Sequence, residues 1–227
     1  MRRAFLLGAW APVSRYDLEP QRQGTSCPVG LSKTRRFSYD HYRPQIMRES
    51  DRMQYRVLAR SEATLLSQID RSEIIDHIYK MREGKLELTA EHYDVPDWSP
   101  AEKVRRIDSL CADYDEGATL FGAFDQDMLV GLSVLSHSSV GSGDHRLNLN
   151  GLWVSCAYRN RGVGTQLVQL AAQEARRRGS RYLYVSATRS ENSVRFYMGL
   201  GMRLAQPPDP LLLQKEPEDI HLELCLG

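Results

Sequence analysis

The stretch QYRVLAR (54–60) alternates polar and apolar residues as a half-buried strand does. SEATLLSQIDRSEIIDHIYKM (61–81) then spaces its apolar residues as a helix would, with Ser61 as a natural N-cap. KLELTAE (85–91) alternates again, and Pro96 and Pro100 mark a loop in which Ser99 caps a helix from 100 to about 114. ATLFGAFD (118–125) and MLVGLSVLSH (128–137) predict two strands around the polar turn Asp125–Asp127. GSGD (141–144) predicts a second turn, and LNLNGLWVS (147–155) the next strand. From Gly162 to Arg178, Val163, Leu167, Leu170, Ala171 and Ala175 line one face of a long helix. Arg176–Arg178 suit its C-terminal end and Gly179 stops it. YLYVSAT (182–188) predicts a strand, Asn192–Leu200 a short helix ended by Gly201, and HLELCL (221–226) a last strand.

The strand–helix–strand unit at 147–188 requires parallel pairing across its helix, whereas the hairpin before it requires antiparallel neighbours. The predicted fold is therefore α/β (α+β), a mixed and mostly antiparallel sheet with helices on both faces.

Residues 1–52 change the domain picture. They show no sustained period and carry ten Lys/Arg against five Asp/Glu, while the remainder carries twenty against twenty-four. Residues 1–52 are read as a basic, flexible extension and 53–227 as the folded domain, with Met47 and Met53 as alternative starts. A net charge of +1 argues against a uniformly basic nucleic-acid binder. No apolar run approaches the roughly 18 residues of a membrane span. Cys27, Cys111, Cys156 and Cys225 lie far apart without a CxxC pair, so neither a zinc site nor a disulfide framework is expected. The apolar stretch in MRRAFLLGAWAPV is short for an export signal, and a cytoplasmic location is expected.

The chemistry concentrates at AYRNRGVGTQL, where strand 147–155 turns into the long helix. The first N–H groups of a helix lack intrahelical partners and the dipole is positive there. Gly162 and Gly164 let a ligand approach the backbone closely. Residues 161–168 contain no Asp or Glu, although acids usually enrich a first turn, and Arg159 and Arg161 flank the turn. This is a cradle suited to a pyrophosphate. A third dinucleotide-fingerprint glycine would fall at Leu167, and no Gly-Lys-Ser/Thr follows, so neither a Rossmann motif nor a P-loop is present.

RNRGVG (159–164) resembles the R/Q-x-x-G-x-G/A acetyl-CoA signature of the GNAT superfamily of N-acetyltransferases, and stands as it does there, after a strand and opening a helix. SVRFYMGLGM (193–202) resembles the downstream family segment that carries a Phe-Tyr pair. The resemblance covers about 54–227 and is strongest over 147–205. It implies acetyl-CoA as co-substrate, with pyrophosphate held by the backbone of Arg159, Asn160, Arg161, Gly162, Val163, Gly164 and Thr165. It also implies that strand Leu152–Trp153–Val154 splays from strand 182–188 and pairs with the pantetheine amides. The N–H near Val154 then polarises the thioester carbonyl, Asn192 touches the coenzyme arm, and Tyr197 faces the sulfur.

Reference pKa values of about 10 for tyrosine and about 8.5 for a thiol make full proton transfer to the thiolate uphill by roughly 2 kcal/mol. Tyr197 is therefore expected to act as a hydrogen-bond donor to the leaving sulfur. Many relatives carry an acid three residues before the position of Val154. Here that residue is Gly151, preceded by Asn150, which leaves the general base open. Glu91, His92, Asp94, Asp97 and Glu116 are candidates for the acceptor rim, Ser186 for a water relay, and Tyr79, Tyr93 and Tyr114 for an aromatic wall. His137 and His221 read as ordinary strand residues. The expected activity is acetyl transfer to a primary amine in a ternary complex, without metal, nucleic-acid or membrane partners and with a homodimer as one assembly. The alternative is an acyl-CoA-binding module without turnover.

Overall fold

A computed structural model describes residues 53–140 and 145–227. The predicted basic extension 1–52 and the GSGD turn lie outside the described residues. The elements in chain order are β1 (Gln54–Val57), a 3-10 helix (Arg60–Gln68), β2 (Glu73–Arg82), β3 (Lys85–Val95), α1 (Pro100–Asp115), β4 (Thr119–Asp125), β5 (Met128–Ser139) and β6 (Arg146–Val154). A short 3-10 turn (Cys156–Tyr158) leads to α2 (Val163–Arg177), β7 (Tyr182–Ala187), α3 (Glu191–Gly199), β8 (Arg203–Leu204), α4 (Pro210–Lys215) and β9 (Ile220–Cys225).

Seven strands form one sheet in the order β1-β4-β5-β6-β7-β9-β8. All neighbours run antiparallel except β6 and β7, which are parallel across α2. The mixed, mostly antiparallel sheet expected from the sequence is therefore what the chain forms. Val163, Leu167, Val168, Ala171 and Ala175 of α2 bury one face of the sheet together with Val194 and Tyr197 of α3. Leu110 of α1 and Ala63 and Leu66 of the 3-10 helix cover the other face over β4 and β5. Leu167 is fully buried, and cutting it to alanine would cost about 2–5 kcal/mol.

The helix expected over 61–81 is corrected. Only Arg60–Gln68 coils, as a 3-10 helix capped from Ala59 rather than Ser61, and Glu73–Arg82 is a strand paired with β3. Two local devices explain the change. Asp70 accepts the Ser72 N–H through its side chain at 2.9 Å, a turn that competes with helix propagation. Glu83 and Gly84 both take positive φ (48° and 75°), which closes a two-residue hairpin whose twist suits flanking strands. EIIDHIYKMR is rich in β-branched residues and satisfies either period, so pairing with Lys85–Val95 decides it. β3 consequently runs on to Val95. The hairpin latches onto the segment before α3, where Tyr79 N–H donates to Arg189 O at 2.7 Å.

Candidate active site

The parallel pair β6–β7 is matched only at Arg146–Tyr182, Leu147–Leu183 and Asn148–Tyr184. Beyond these residues both strands continue but separate, as the splay implied by the resemblance requires. The cause is visible in the register of β6 against β5. Val134 faces Gly151 and Leu135 faces Leu149, so Asn150 is an extra residue, a β-bulge that bends its strand. The side chains change parity across it: Leu147 and Leu149 pack toward α2 before the bulge, and Leu152 and Val154 after it.

The backbone beyond the bulge has a defined direction. Ser155 N–H donates to Val130 O at 2.9 Å. Because an antiparallel ladder alternates, Trp153 also bonds toward β5, whereas the N–H groups of Leu152 and Val154 point to the side from which β7 has withdrawn. The carbonyl of Val154 is occupied by Arg159 Nε at 3.2 Å, but its N–H is left facing the gap.

The turn into α2 follows directly. Asn160 (φ 60°) and Gly162 (φ 83°) both take left-handed conformations, which asparagine and glycine tolerate best. Gly162 is the N-cap of α2 and offers no side-chain acceptor. Gln166 N–H, donating to Gly162 O at 3.0 Å, is the first in this turn after Arg159 to find a backbone acceptor among the described residues. The amides from Asn160 through Val163 and Gly164 to Thr165 thus have no backbone acceptor among the described residues, which is what the anion cradle expected from the sequence would need. The two glycines serve different ends. Gly162 has open space where a Cβ would be, so its conformation is what matters. A Cβ on Gly164 would stand 3.2 Å from Phe196 Cζ and 3.7 Å from Val154 Cγ2, so at Gly164 the closeness of α2 to β6 and α3 is what matters.

Arg159 departs from its expected part. Its N–H is already donated to Cys156 O at 3.3 Å, and its guanidinium turns inward to Val154 O and to Arg71 O at 2.9 Å. Arg159 therefore braces the end of β6 against the loop before β2. Arg161 lies over the Tyr158 ring at 5.3 Å and remains exposed at the cradle. Tyr158 is anchored in turn through its hydroxyl to Asp125 Oδ2 at 2.6 Å.

Tyr197 lies beneath this arrangement, stacked edge-on against Phe196 with centroids 5.0 Å apart. It is buried, and burial alone pushes its hydroxyl well above the ordinary phenol range. Asn192 Nδ2 donates to Glu73 Oε1 at 3.0 Å. It lines a cavity of about 130 Å³ with Ile74, Ile75, Asp76, His77 and Glu191.

The opposite face of the split is equally specific. Leu183, Val185 and Ala187 pack toward α2, so Tyr184 and Ser186 face away from it, as Gly151 and Trp153 do. Trp153 folds back over Gly151, leaving no room there for the acid that the family pattern would place. A carboxyl on this face comes from outside β6. Ser186 Oγ donates to Asp219 Oδ2 at 3.4 Å, and burial, reinforced by Glu216, pushes the Asp219 carboxyl up to about 6. Beside it, Tyr184 and His221 are joined at 2.9 Å, and the Tyr184 oxygen accepts the Asp209 N–H. His221 is thus a buried, hydrogen-bonded group whose pKa is lowered by desolvation, more than the ordinary strand residue expected. No local pattern in the sequence marks Asp219; its environment is made by β7 and β9.

The expected acceptor-rim acids are mostly engaged locally. Glu91 meets Lys80 and the Tyr93 hydroxyl, His92 meets Asp76 at 2.7 Å, and Asp97 meets Lys103 at 2.7 Å, while Glu116 ends α1 through its backbone N–H alone. Asp94 is exposed on β3. The three tyrosines do not make one wall: Tyr79 packs with the α2-side core, Tyr114 with the α1-side core, and Tyr93 is exposed. Among the described residues no group of three or more His, Cys, Asp or Glu is placed to hold a metal ion. Among them too, no helix is long and apolar enough to cross a membrane.

A family model described as acetyltransferase (GNAT) family matches residues 78–202. Among solved structures, a nourseothricin acetyltransferase is similar at 20% identity and a TM-score of 0.57, over 77% of this chain and 99% of that one. The PaiA N-acetyltransferase of Thermoplasma acidophilum, in complex with coenzyme A, is similar at 14% identity and 0.51, over 77% and 99%. A putative streptothricin acetyltransferase of Bacillus anthracis str. Ames, in complex with acetyl coenzyme A, is similar at 14% identity and 0.50, over 77% and 96%. No curated protein matches the chain. These structural likenesses speak for the fold, and the family model spans more than half the sequence. The chain belongs to the GNAT acetyltransferase family.

Proposed function

We propose that this protein transfers the acetyl group of acetyl-CoA to a primary amine by direct attack within a ternary complex. The observation that carries the proposal is the gap between β6 and β7, with the Val154 N–H in it unpaired among the described residues and the open end of α2 beside it. The residues present fit the co-substrate: the cradle amides suit a pyrophosphate, and the Leu152 and Val154 N–H groups on the β6 edge of Leu152–Trp153–Val154 suit an extended amide-bearing arm.

Bound there, the thioester supplies the activated acyl carbon. Val154 N–H would donate to its carbonyl oxygen as negative charge develops. The α2 face is closed by α2 and α3, so the amine arrives from the face that carries Ser186 and Asp219. Asp219, through a water ordered by Ser186, would receive the amine proton as the C–N bond forms. Tyr197 would donate a hydrogen bond to the sulfur as the C–S bond breaks. Its raised pKa makes complete proton donation still less favourable than for an ordinary tyrosine, so hydrogen bonding is its role. Asn192 borders the coenzyme arm from the α3 end. A cytoplasmic location is part of this reading, resting on the short apolar stretch at 5–13 and the scattered cysteines.

One observation favours a second reading, an acyl-CoA-binding module without turnover: the indole closes over Gly151, where many family members carry an acid. Calorimetric titration with acetyl-CoA, followed by thiol release across a broad amine panel, separates the two. Amine-dependent release of free coenzyme A is the expected result. Binding without release on any amine would favour the module, and absence of binding would remove both.

A further inference from the structure

Two cations on the acceptor side form no close ion pair among the described residues, although the charge of Glu102 reaches Arg106. The guanidinium groups of Arg71 and Arg106 lie against the ring of Trp98, at 5.7 and 4.6 Å from its centroid. Trp98 in turn meets Trp153 edge-on, with centroids 5.7 Å apart, and Trp153 is the indole that covers Gly151 on the open face of β6. The cluster therefore adjoins the split on the side from which an acceptor arrives, and on the face of the sheet opposite α2.

The neighbouring acids are committed elsewhere. Asp97 accepts the backbone N–H of Arg71 and pairs with Lys103. Glu102 closes the capping box with Ser99, and Asp115 pairs with Arg60. Neither Arg71 nor Arg106 forms a side-chain ion pair with a carboxylate among the described residues. Other arginines of this domain do, as Arg146 with Glu223 and Arg178 with Glu174 show. Among the described residues, Arg71 Nε and Trp98 Nε1 are both buried donors without an acceptor, and Trp98 is 5% exposed. Orphaned buried donors carry a real cost, and so do like charges brought together. Arg106 has its pKa lowered by desolvation and then by the charge of Arg71, which the nearby Glu102 only partly offsets. All these groups are donors or cations, so one ligand chemistry relieves them together: an anion.

We propose that Arg71 and Arg106, with the indole N–H of Trp98, bind an anionic group of the acceptor, so that the amine acetylated here also carries a carboxylate. The acceptor is then an amino acid or a similar small anionic amine, with its nitrogen toward Ser186 and Asp219 and its carboxylate toward the arginine pair. A polycationic amine is disfavoured by the same charges. This proposal rests on the acetyltransferase reading above.

The test compares the wild-type protein with Arg106→Gln, Arg71→Gln and Arg106→Lys. Acetyl-CoA affinity is measured by calorimetry, folding by thermal unfolding, and kcat and KM on matched pairs of amino acids and their carboxamides. The expected wild-type result is a kcat/KM at least tenfold higher for the acid than for its carboxamide. Arg106→Gln and Arg71→Gln should bring that ratio toward one, mainly through KM for the acid, while acetyl-CoA affinity stays within twofold. Arg106→Lys, which keeps the charge, should retain part of the preference and guards against a folding artefact. Carboxamides or polycationic amines acetylated as well as the acids, or no acid acetylated at all, would overturn the proposal. So would a loss of acetyl-CoA affinity in Arg106→Gln, because the pair would then serve the coenzyme phosphates. Acetyl-CoA that fails to bind the wild-type protein would remove the acetyltransferase reading itself, an outcome distinct from the others.

Discussion

Gly151 and Trp153 share one face of β6, and a β-carbon on Gly151 would stand 2.4 Å from the indole Cη2. The indole is itself held by Trp98. The glycine is thus what allows the aromatic pair to close over the strand. Gly151→Ala is expected to force the indole aside and cost about 1–3 kcal/mol, the usual range for overpacking. Gly151→Glu should not create a working base, because the carboxylate has no place under the ring. Thermal unfolding checks the first outcome. A rate increase in Gly151→Glu would show that the indole yields and that the site accepts an acid from this strand.

The two cradle glycines should fail differently. Gly162 needs a left-handed conformation and has open space around it, so Gly162→Ala is expected to cost about 1–2 kcal/mol of stability and disturb the turn. Gly164→Val would drive a branched side chain against Phe196 and Val154. Since Phe196 stacks on Tyr197, coenzyme affinity and turnover should fall together. Calorimetry with acetyl-CoA and denaturant unfolding on both variants separate the effects. Equal losses in both measurements for both variants would mean that the glycines share one role.

Much of this arrangement is legible in the chain's own pattern. The turn RNRGVG, the apolar face of α2 and the strand leading into it each carry a local signal and lie where it puts them, with Arg159 turned away from the turn. The family resemblance implies the splay, but not its cause. LNLNGLW alternates smoothly, and nothing in it marks Asn150 as an extra residue; the bulge exists only relative to β5. The stretch Glu73–Arg82 is ambiguous because β-branched residues with mixed polarity fit both periods. Its deciding partner lies across a Glu83–Gly84 turn that is weak as a sequence signal. Asp219 is silent in the sequence for a similar reason: its raised pKa comes from burial between segments distant along the chain.

Tyr197→Phe removes one hydroxyl without changing the packing against Phe196. The hydroxyl makes no hydrogen bond among the described residues, so its loss should leave stability and acetyl-CoA affinity close to wild type. A hydrogen bond to a developing thiolate is worth about 1.5–3 kcal/mol, so kcat is expected to drop by roughly 10- to 100-fold. Steady-state kinetics at saturating acetyl-CoA reads this directly. An unchanged kcat would take Tyr197 out of the mechanism.

Asp219 ties stability and rate to the same proton. Its folded pKa of about 6 lies above the ordinary aspartate value of 3.8, chiefly because burial disfavours the carboxylate. The folded state therefore binds this proton more tightly than the unfolded chain does. The group's contribution favours folding at low pH and is lost as pH rises from about 4 through about 6. Above that window the ionised carboxylate is a net cost, on the order of 1–2 kcal/mol once its partial exposure is discounted. Asp219→Asn should thus unfold at a higher temperature than wild type at pH 7.5, with the advantage shrinking toward pH 4. The catalytic sign is opposite. A proton acceptor works only when ionised, so the wild-type rate should fall as pH drops through about 6, and Asp219→Asn should lose that limb together with at least tenfold in kcat. A variant that gains stability and loses rate separates a functional carboxylate from one that merely packs. If Asp219→Asn is stabilised but keeps the full rate and its acidic limb, the amine proton leaves by another route.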